Sequence, residues 1–236
     1  KCWPGPLTMV LPKKAKVPYM VTSGLETVAV RIPQHSITLQ LLKSLPFPLA
    51  APSANPFGFV SPTSAKHVDQ YLGNDIDYIL DGGNCNIGLE STIISFENDT
   101  PIILRKGGLS IESIESLIGK VAIKTTSSSK PSAPGMLSKH YSPGIPLVLG
   151  NLPELIAANQ HKRYGILSFS KPYITSEAAL LKILSPQKDL TEAARNLFAY
   201  MREFTELAPE VILSEFLPEE GLGIAINDRL RRAAAS

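Results

Sequence analysis

The sequence predicts an α/β protein in two parts, and three observations carry that prediction. β-Branched runs alternate with amphipathic helical stretches through the first 124 residues. From Thr125 to Pro146 the text shifts to Ser, Pro and Gly, with Lys130 and Lys139 as its only Lys, Arg, Asp or Glu residues. Strand and helix patterns then alternate again to the end, which implies a small unit with a mainly parallel sheet. The expected organisation is therefore a first domain at 1–124, a linker at 125–146 and a second α/β domain at 147–236. A chain of 236 residues, 44% hydrophobic and 19% charged, has the material for such cores.

Each element has its local reason. Trp3-Pro4-Gly5-Pro6 is a rigid turn, and Leu7–Leu11 after it reads as a strand. Thr27–Ile32 is a strand by alternation: Val28 and Val30 face one way, and Thr27, Ala29 and Arg31 the other. Ser36–Leu45 is a short helix with Ile37, Leu41 and Leu45 on one side. Ile76–Leu80 reads as a strand, and Asp81-Gly82-Gly83-Asn84 as a turn needing positive φ. Ser91–Phe96 and Pro101–Lys106 form a hairpin about Asn98-Asp99. Ser110–Ile118 is a helix stopped by Gly119, followed by a strand at Val121–Lys124. In the second part, strands are expected at 147–149, 164–169, 180–184 and 209–216, with helices at 153–159, 189–207 and 223–235. Asp189–Leu207 carries Leu190, Ala194, Leu197, Phe198, Met201 and Phe204 on one stripe, behind a capping-box-like Asp189-x-x-Glu192.

The stretch that organises the first part is Pro48–Val60, PLAAPSANPFGFV. Pro48–Ala51 reads as the end of a buried strand, which breaks at Pro52 into a loop of small and polar residues. A helix is expected from Ser61, with Ser61 as N-cap and Pro62 in the first helical position, running to Leu72. A stiff loop ending on a helix N-terminus suits an anion.

Several classes drop out. No Walker A, GxGxxG or GxSxG pattern is present. No apolar run approaches the ~20 residues of a membrane span. A net charge of +2 is small for a nucleic-acid partner. Cys2 and Cys85 have no CxxC spacing, which argues against a disulfide framework or structural zinc and favours a reducing, cytoplasmic setting. From the residues alone, an α/β domain with an anion-suited loop is as far as the reading goes.

An ordered set of motifs takes it further. These are Trp3-Pro4-Gly5-Pro6-Leu7-Thr8, Thr27-x-Ala29-x-Arg31-x-Pro33, Pro52-Ser53-Ala54-Asn55 with Ser61 behind it, Ser91-Thr92-Ile93, Arg105-x-Gly107, Pro134-Gly135-Met136, His140-Tyr141-Ser142-Pro143, and Gly223-x-Ala225-x-x-Asp228-Arg229-Leu230. Across essentially the whole chain this series resembles the two-domain threonylcarbamoyl-AMP synthases that contain a YrdC domain. The resemblance implies a YrdC-like twisted α/β domain, a linker acting as nucleotide lid, and a small Rossmann-like α/β domain. Family members carry an upstream Lys/Arg segment that grips the triphosphate. With Lys1 in first place, the expectation is a YrdC-like domain lacking its N-terminal part, which bears on whether these 236 residues are active alone.

Carried over residue by residue, the resemblance puts ATP contacts on Thr27, Ser53, Asn55, Ser61, Arg105 and Tyr141, and L-threonine contacts on Arg31, Ala51 and Ser91. It implies a nucleotidyltransferase reaction: L-threonine, bicarbonate and ATP give threonylcarbamoyl-AMP and pyrophosphate, for the t6A modification of adenosine 37 in tRNA. Mg2+ is expected with the triphosphate, riding on the nucleotide. Partners would be the proteins that pass the threonylcarbamoyl group to tRNA, with weak tRNA or other RNA binding as a secondary expectation and no membrane. Chemistry fits several placements, since the Arg31 fork can grip a carboxylate and Arg105 can neutralise charge on phosphoryl oxygens. The plain alternatives are salt-bridge roles for Arg31 and Arg105, a capping role for Ser61 and exposed linker positions for His140 and Tyr141. Two other functions compete: a non-enzymatic RNA-binding module, and another carbamoyl-adenylate-forming enzyme of the hydrogenase-maturation kind. The latter carries zinc-finger CxxC repeats that this chain lacks.

Overall fold

A computed structural model describes residues 1–124, 140–173 and 179–235. Strands occur at β1 (Leu7–Pro12), β2 (Thr27–Val30), β3 (Thr92–Glu97), β4 (Thr100–Arg105), β5 (Ala122–Ile123), β6 (Leu147–Leu149), β7 (Tyr164–Ser168), β8 (Leu180–Ile183) and β9 (Val211–Ser214). Helices are α1 (Ser36–Ser44), α2 (Ala65–Leu72), α3 (Ile111–Ile118), α4 (Leu152–Ala158), α5 (Leu190–Leu207) and α6 (Gly223–Ala234). By contacts the chain forms two units. One comprises Lys1–Pro52 with Glu90–Leu137, the other Ser53–Leu89 with Ser138–Ser236.

The first unit holds a mixed five-stranded sheet, ordered β2-β1-β3-β4-β5. β1 runs antiparallel to β2 and parallel to β3, and β3–β4 is the expected hairpin. Asn98 and Asp99 both take positive φ at its tip, a conformation their short polar side chains tolerate. Leu7, Ile94 and Ile103 pack with Ile114 of α3, and Val10, Ile93, Ile102 and Leu104 form a separate small cluster. Ser110 caps α3 by accepting from the Ser113 N–H, and Gly119 ends it at φ 81°.

The second unit is a four-stranded parallel sheet, β6-β9-β7-β8. All five residues of β7 are buried, as a central strand covered on both faces requires. On one face α5 lays down Ala194, Leu197, Phe198, Met201 and Phe204, joined by Leu167, Ile212 and the Ala225–Ile226 turn of α6. On the other face Leu152, Tyr164, Ile166, Val211 and Leu213 form a cluster with α4. Val60 and Leu89, from the far-upstream segment, belong to the α5 core.

Four expectations fail. Pro48–Ala51 is irregular, and Leu49 is 46% exposed. Pro46, Pro48 and Pro52 have no N–H to donate, so no ladder can form there. Ile76–Leu80 is not a strand either, and Tyr78 is 93% exposed. Its alternation is that of a strand, but it has no ladder partner among the described residues. The helix expected from Ser61 begins at Ala65, capped by Ser64, whose hydroxyl accepts from the His67 N–H. Finally, the Asp189–Glu192 box does not close. Asp189 caps the Thr191 N–H, while the Glu192 carboxylate accepts from the Ser185 hydroxyl.

Candidate functional site

In the first unit Arg31, Ser91 and Arg105 lie toward one end of the sheet, and strand register explains why. Met9 pairs with Val30, so Arg31, one residue on, stands opposite Thr8. Thr8 pairs with Ile93 across the parallel ladder, and Ile93 pairs with Arg105 in the hairpin. Thr8, Ser91 and Arg105 are joined directly. Thr8 Oγ1 and Ser91 Oγ lie 2.6 Å apart with one hydroxyl donating. Arg105 donates through Nε to the Ser91 carbonyl at 3.0 Å and through a terminal nitrogen to Ser91 Oγ at 3.1 Å. Gly107 makes this possible: a Cβ there would meet the Ser91 carbonyl carbon and the Thr92 nitrogen at 2.5 Å. Thr92 adds a hydroxyl bond to the Leu109 carbonyl, which fixes the loop behind Gly107.

Arg31 is held by its root. Its Nε donates to the Gly5 carbonyl at 2.9 Å, which leaves both terminal nitrogens of the fork uncommitted among the described residues. Gly5 is itself forced, since a Cβ would stand 2.3 Å from the Cys2 carbonyl oxygen. The Trp3-Pro4-Gly5-Pro6 turn thus aims Arg31 through its backbone. Thr27 opens the same exposed face of β2, and four residues of strand put it about 13 Å from Arg31. Ala51 lies exposed in the irregular segment before Pro52. Arg31 and Arg105 therefore both donate to backbone carbonyls within their unit. Thr8 was not singled out from the sequence. A hydroxyl at a buried strand position was the signal available, since Thr8 is 9% exposed.

In the second unit the Ser53–Ser61 loop is pinned as a strap. Asn55 donates its amide to the Pro56 and Phe59 carbonyls at 2.9 and 3.1 Å, while its Oδ1 is buried without a partner among the described residues. Phe59 bridges Ser142, with Val60 N–H to the Ser142 carbonyl at 3.1 Å and Ser142 N–H to the Gly58 carbonyl at 2.8 Å. Arg202 of α5 donates through Nε to the Ser61 carbonyl at 3.1 Å and through a terminal nitrogen to that of Val60. These ties hold residues 59–61 extended, which is why the helix waits until Ala65. Ser61 is therefore not an N-cap, and the helix-dipole argument for a phosphate at Ser53 and Ser61 does not apply. Ser53 is exposed, whereas Ser61 is 9% exposed.

Tyr141 is not an exposed linker residue. It is 1% exposed at φ 64°, stacks on Phe198 at 5.3 Å between ring centroids, and lies against the Arg229 guanidinium. The His140 ring meets Tyr141 and Phe57 edge-on. Nearby, Thr63 N–H donates to His67 Nδ1 at 3.2 Å. Burial above all, and then the neighbouring Arg202, hold the His67 pKa below the usual histidine range. The Pro134-Gly135-Met136 motif and both linker lysines lie outside the described residues. Among the described residues no three His, Cys, Asp or Glu side chains converge to hold a metal, and no helix is long and apolar enough to cross a membrane.

Comparison with known proteins matches the chain almost from end to end. A family model described as Telomere recombination matches residues 1–107. A second, described as Threonylcarbamoyl-AMP synthase, C-terminal domain, matches residues 109–235. The chain is 41% identical to the threonylcarbamoyl-AMP synthase of Pyrococcus abyssi over 98% of its own length and 71% of that protein's. It is 38% identical to the Bacillus subtilis enzyme of that name, over 98% of this chain and 70% of the relative. The crystal structure of P. abyssi Sua5 complexed with L-threonine superposes with a TM-score of 0.90 at 40% identity, covering 99% of this chain and 71% of the other. A variant of the same protein with a His→Ala and a Tyr→Ala change superposes at 0.88 and 40% identity, covering 99% of this chain and 70% of the variant.

Proposed function

We propose that this chain, which belongs to the threonylcarbamoyl-AMP synthase family, joins L-threonine, bicarbonate and ATP into threonylcarbamoyl-AMP and pyrophosphate. The observation that carries the reading in the molecule itself is the Arg31–Thr8–Ser91–Arg105 row. A fork anchored through Nε presents two parallel donors to a carboxylate, the geometry an amino-acid substrate needs. Ser91, locked between Thr8 and Arg105, places a hydroxyl beside it for the substrate's polar groups. Ala51 would border this pocket with its small side chain. The relative solved with L-threonine supports the same substrate here.

Catalysis in this reading is positioning. The threonine amine adds to bicarbonate with loss of water, forming a carbamate. A carbamate oxygen then attacks the α-phosphorus of ATP, and the bond to the β,γ-pyrophosphate breaks. Thr27, Ser53, Asn55, Ser61, Arg105 and Tyr141 are the ATP contacts, and the unpartnered Oδ1 of Asn55 offers a buried acceptor. Mg2+ would ride on the triphosphate and offset its charge, since among the described residues no three His, Cys, Asp or Glu side chains converge to hold it. In this reading residues 1–124 are the catalytic domain and 147–236 the supporting domain, while most of the 125–146 linker expected to serve as nucleotide lid lies outside the described residues. The unstable adenylate passes in the cytoplasm to proteins that transfer its threonylcarbamoyl group to adenosine 37 of tRNA.

The test is pyrophosphate release from ATP. Release that needs both L-threonine and bicarbonate supports the reading, and release indifferent to threonine refutes it. A gel shift with tRNA in the absence of ATP and threonine, steeply salt-dependent, would favour the RNA-binding module instead.

A further inference from the structure

We infer that Arg202, on α5 of the second unit, is a positioning residue for the nucleotide, acting through the backbone of Val60 and Ser61. The inference rests on the assignment of Ser61 to ATP. Its grounds are the geometry of one buried cation. Arg202 is 3% exposed, and its partners among the described residues are two successive carbonyls and the ring faces of Phe59 and Tyr71, at 5.7 and 5.3 Å. No carboxylate pairs with it among those residues. Burying a charge without a counter-ion is costly, and an apolar side chain of the same volume would serve packing better. What an apolar side chain cannot do is hold two consecutive carbonyls at once. That takes a planar fork with donors at fixed spacing, which a lysine lacks.

The same face of α5 holds the other segment assigned to the nucleotide. Phe198, one turn earlier, stacks on Tyr141, and Thr205, three residues later, donates to the Pro143 carbonyl at 2.8 Å. Between them Val60 pairs with Ser142. Phe198, Arg202 and Thr205 therefore fix Tyr141, Ser61 and the turn after Ser142 on one rigid helix face. The supporting domain sets the nucleotide contacts in register, and Arg202 is the member of that set whose chemistry has no packing rationale.

Equilibrium titration with ATP and, separately, with L-threonine tests this on the full chain. Arg202→Gln is expected to weaken ATP binding roughly tenfold or more, the loss of hydrogen bonds to a charged donor, with L-threonine affinity held within about twofold. Arg202→Lys recovers part of the loss, which a merely structural role does not predict. Thr205→Val, isosteric and safe for folding, weakens ATP binding by a smaller factor, and it decides the matter if Arg202→Gln does not fold. Loss of ATP and threonine affinity in equal measure, or unchanged ATP affinity in folded Arg202→Gln and Thr205→Val, overturns the proposal. Wild-type protein that takes up no ATP overturns the nucleotide assignment and the proposal with it. Wild type that binds ATP, with Ser61→Ala weakening binding and Arg202→Gln not, removes the positioning role alone.

Discussion

The two units are built to different standards of burial. In the parallel sheet every residue of β7 and β9 is buried, and α5 buries seven of its residues. In the mixed sheet β2 alternates between half-buried and exposed, and α1 and α2 bury no residue at all. α2 belongs by contacts to the well-packed unit, so the looseness spans β2 and α1 of one unit and α2 of the other rather than following the unit boundary. Of the side chains assigned to L-threonine, Arg31 and Ala51 are exposed and Ser91 is buried, so the fork of Arg31 can be reached. The backbone that aims them is tightly held, by Gly5, Gly107 and the Thr8–Ser91 pair. Reachable side chains on fixed backbone are what a binding site needs, and strands β7 and β9 of the parallel unit show backbone fixed by burial alone.

Truncation should separate the two regimes most sharply. Phe198→Ala empties a fully buried ring position and should cost about 3–5 kcal/mol in denaturant unfolding, whereas Leu41→Ala, at 39% exposure, should stay under about 1 kcal/mol. Equal losses would break the contrast. Arg31→Ala should leave stability unchanged and weaken L-threonine binding by about 1.5–3 kcal/mol, read by titration; unaltered affinity would remove Arg31 from the site. Gly107→Ala must push the Ser91–Thr92 backbone aside, with a cost of roughly 1–3 kcal/mol in stability and a parallel fall in threonine affinity. Stability lost with threonine affinity retained would show that Ser91 is not in the site. The smallest effect concerns His67. Its folded pKa lies below the unfolded value, so the unfolded chain takes up the proton first and stability falls as pH drops below about 6.5. His67→Gln should flatten the melting temperature between pH 7 and 5, and an unchanged slope would clear His67 of that role.

Much of this was legible because local and tertiary signals agreed. The stripe from Leu190 to Phe204 gave α5 within a residue, and Asn98-Asp99 gave the hairpin, since neither depends on distant partners. Pro48–Ala51 and Ile76–Leu80 misled for the opposite reason: apolar content and alternation suggest a strand, but only a neighbouring ladder makes one. The start of α2 was out of reach for a subtler cause. Ser61 and Ser64 are both competent caps, and the choice between them is made by Arg202, 141 residues away. The Arg31 and Arg105 placements came from family motifs, but Thr8 and Arg202 did not, because each earns its role from a partner far along the chain.

The division of the chain by contacts has a practical consequence for anyone cutting the gene. The polypeptide passes between the two units three times, at Pro52–Ser53, Leu89–Glu90 and Leu137–Ser138. A stop codon placed in the Ser/Pro/Gly stretch would keep the Ser53–Ser61 loop yet discard α5, leaving two carbonyls without their guanidinium and Val60 without its pocket. Fragments made that way should report on a loop stripped of its footing, whereas co-expressing both pieces gives the footing a chance to reassemble.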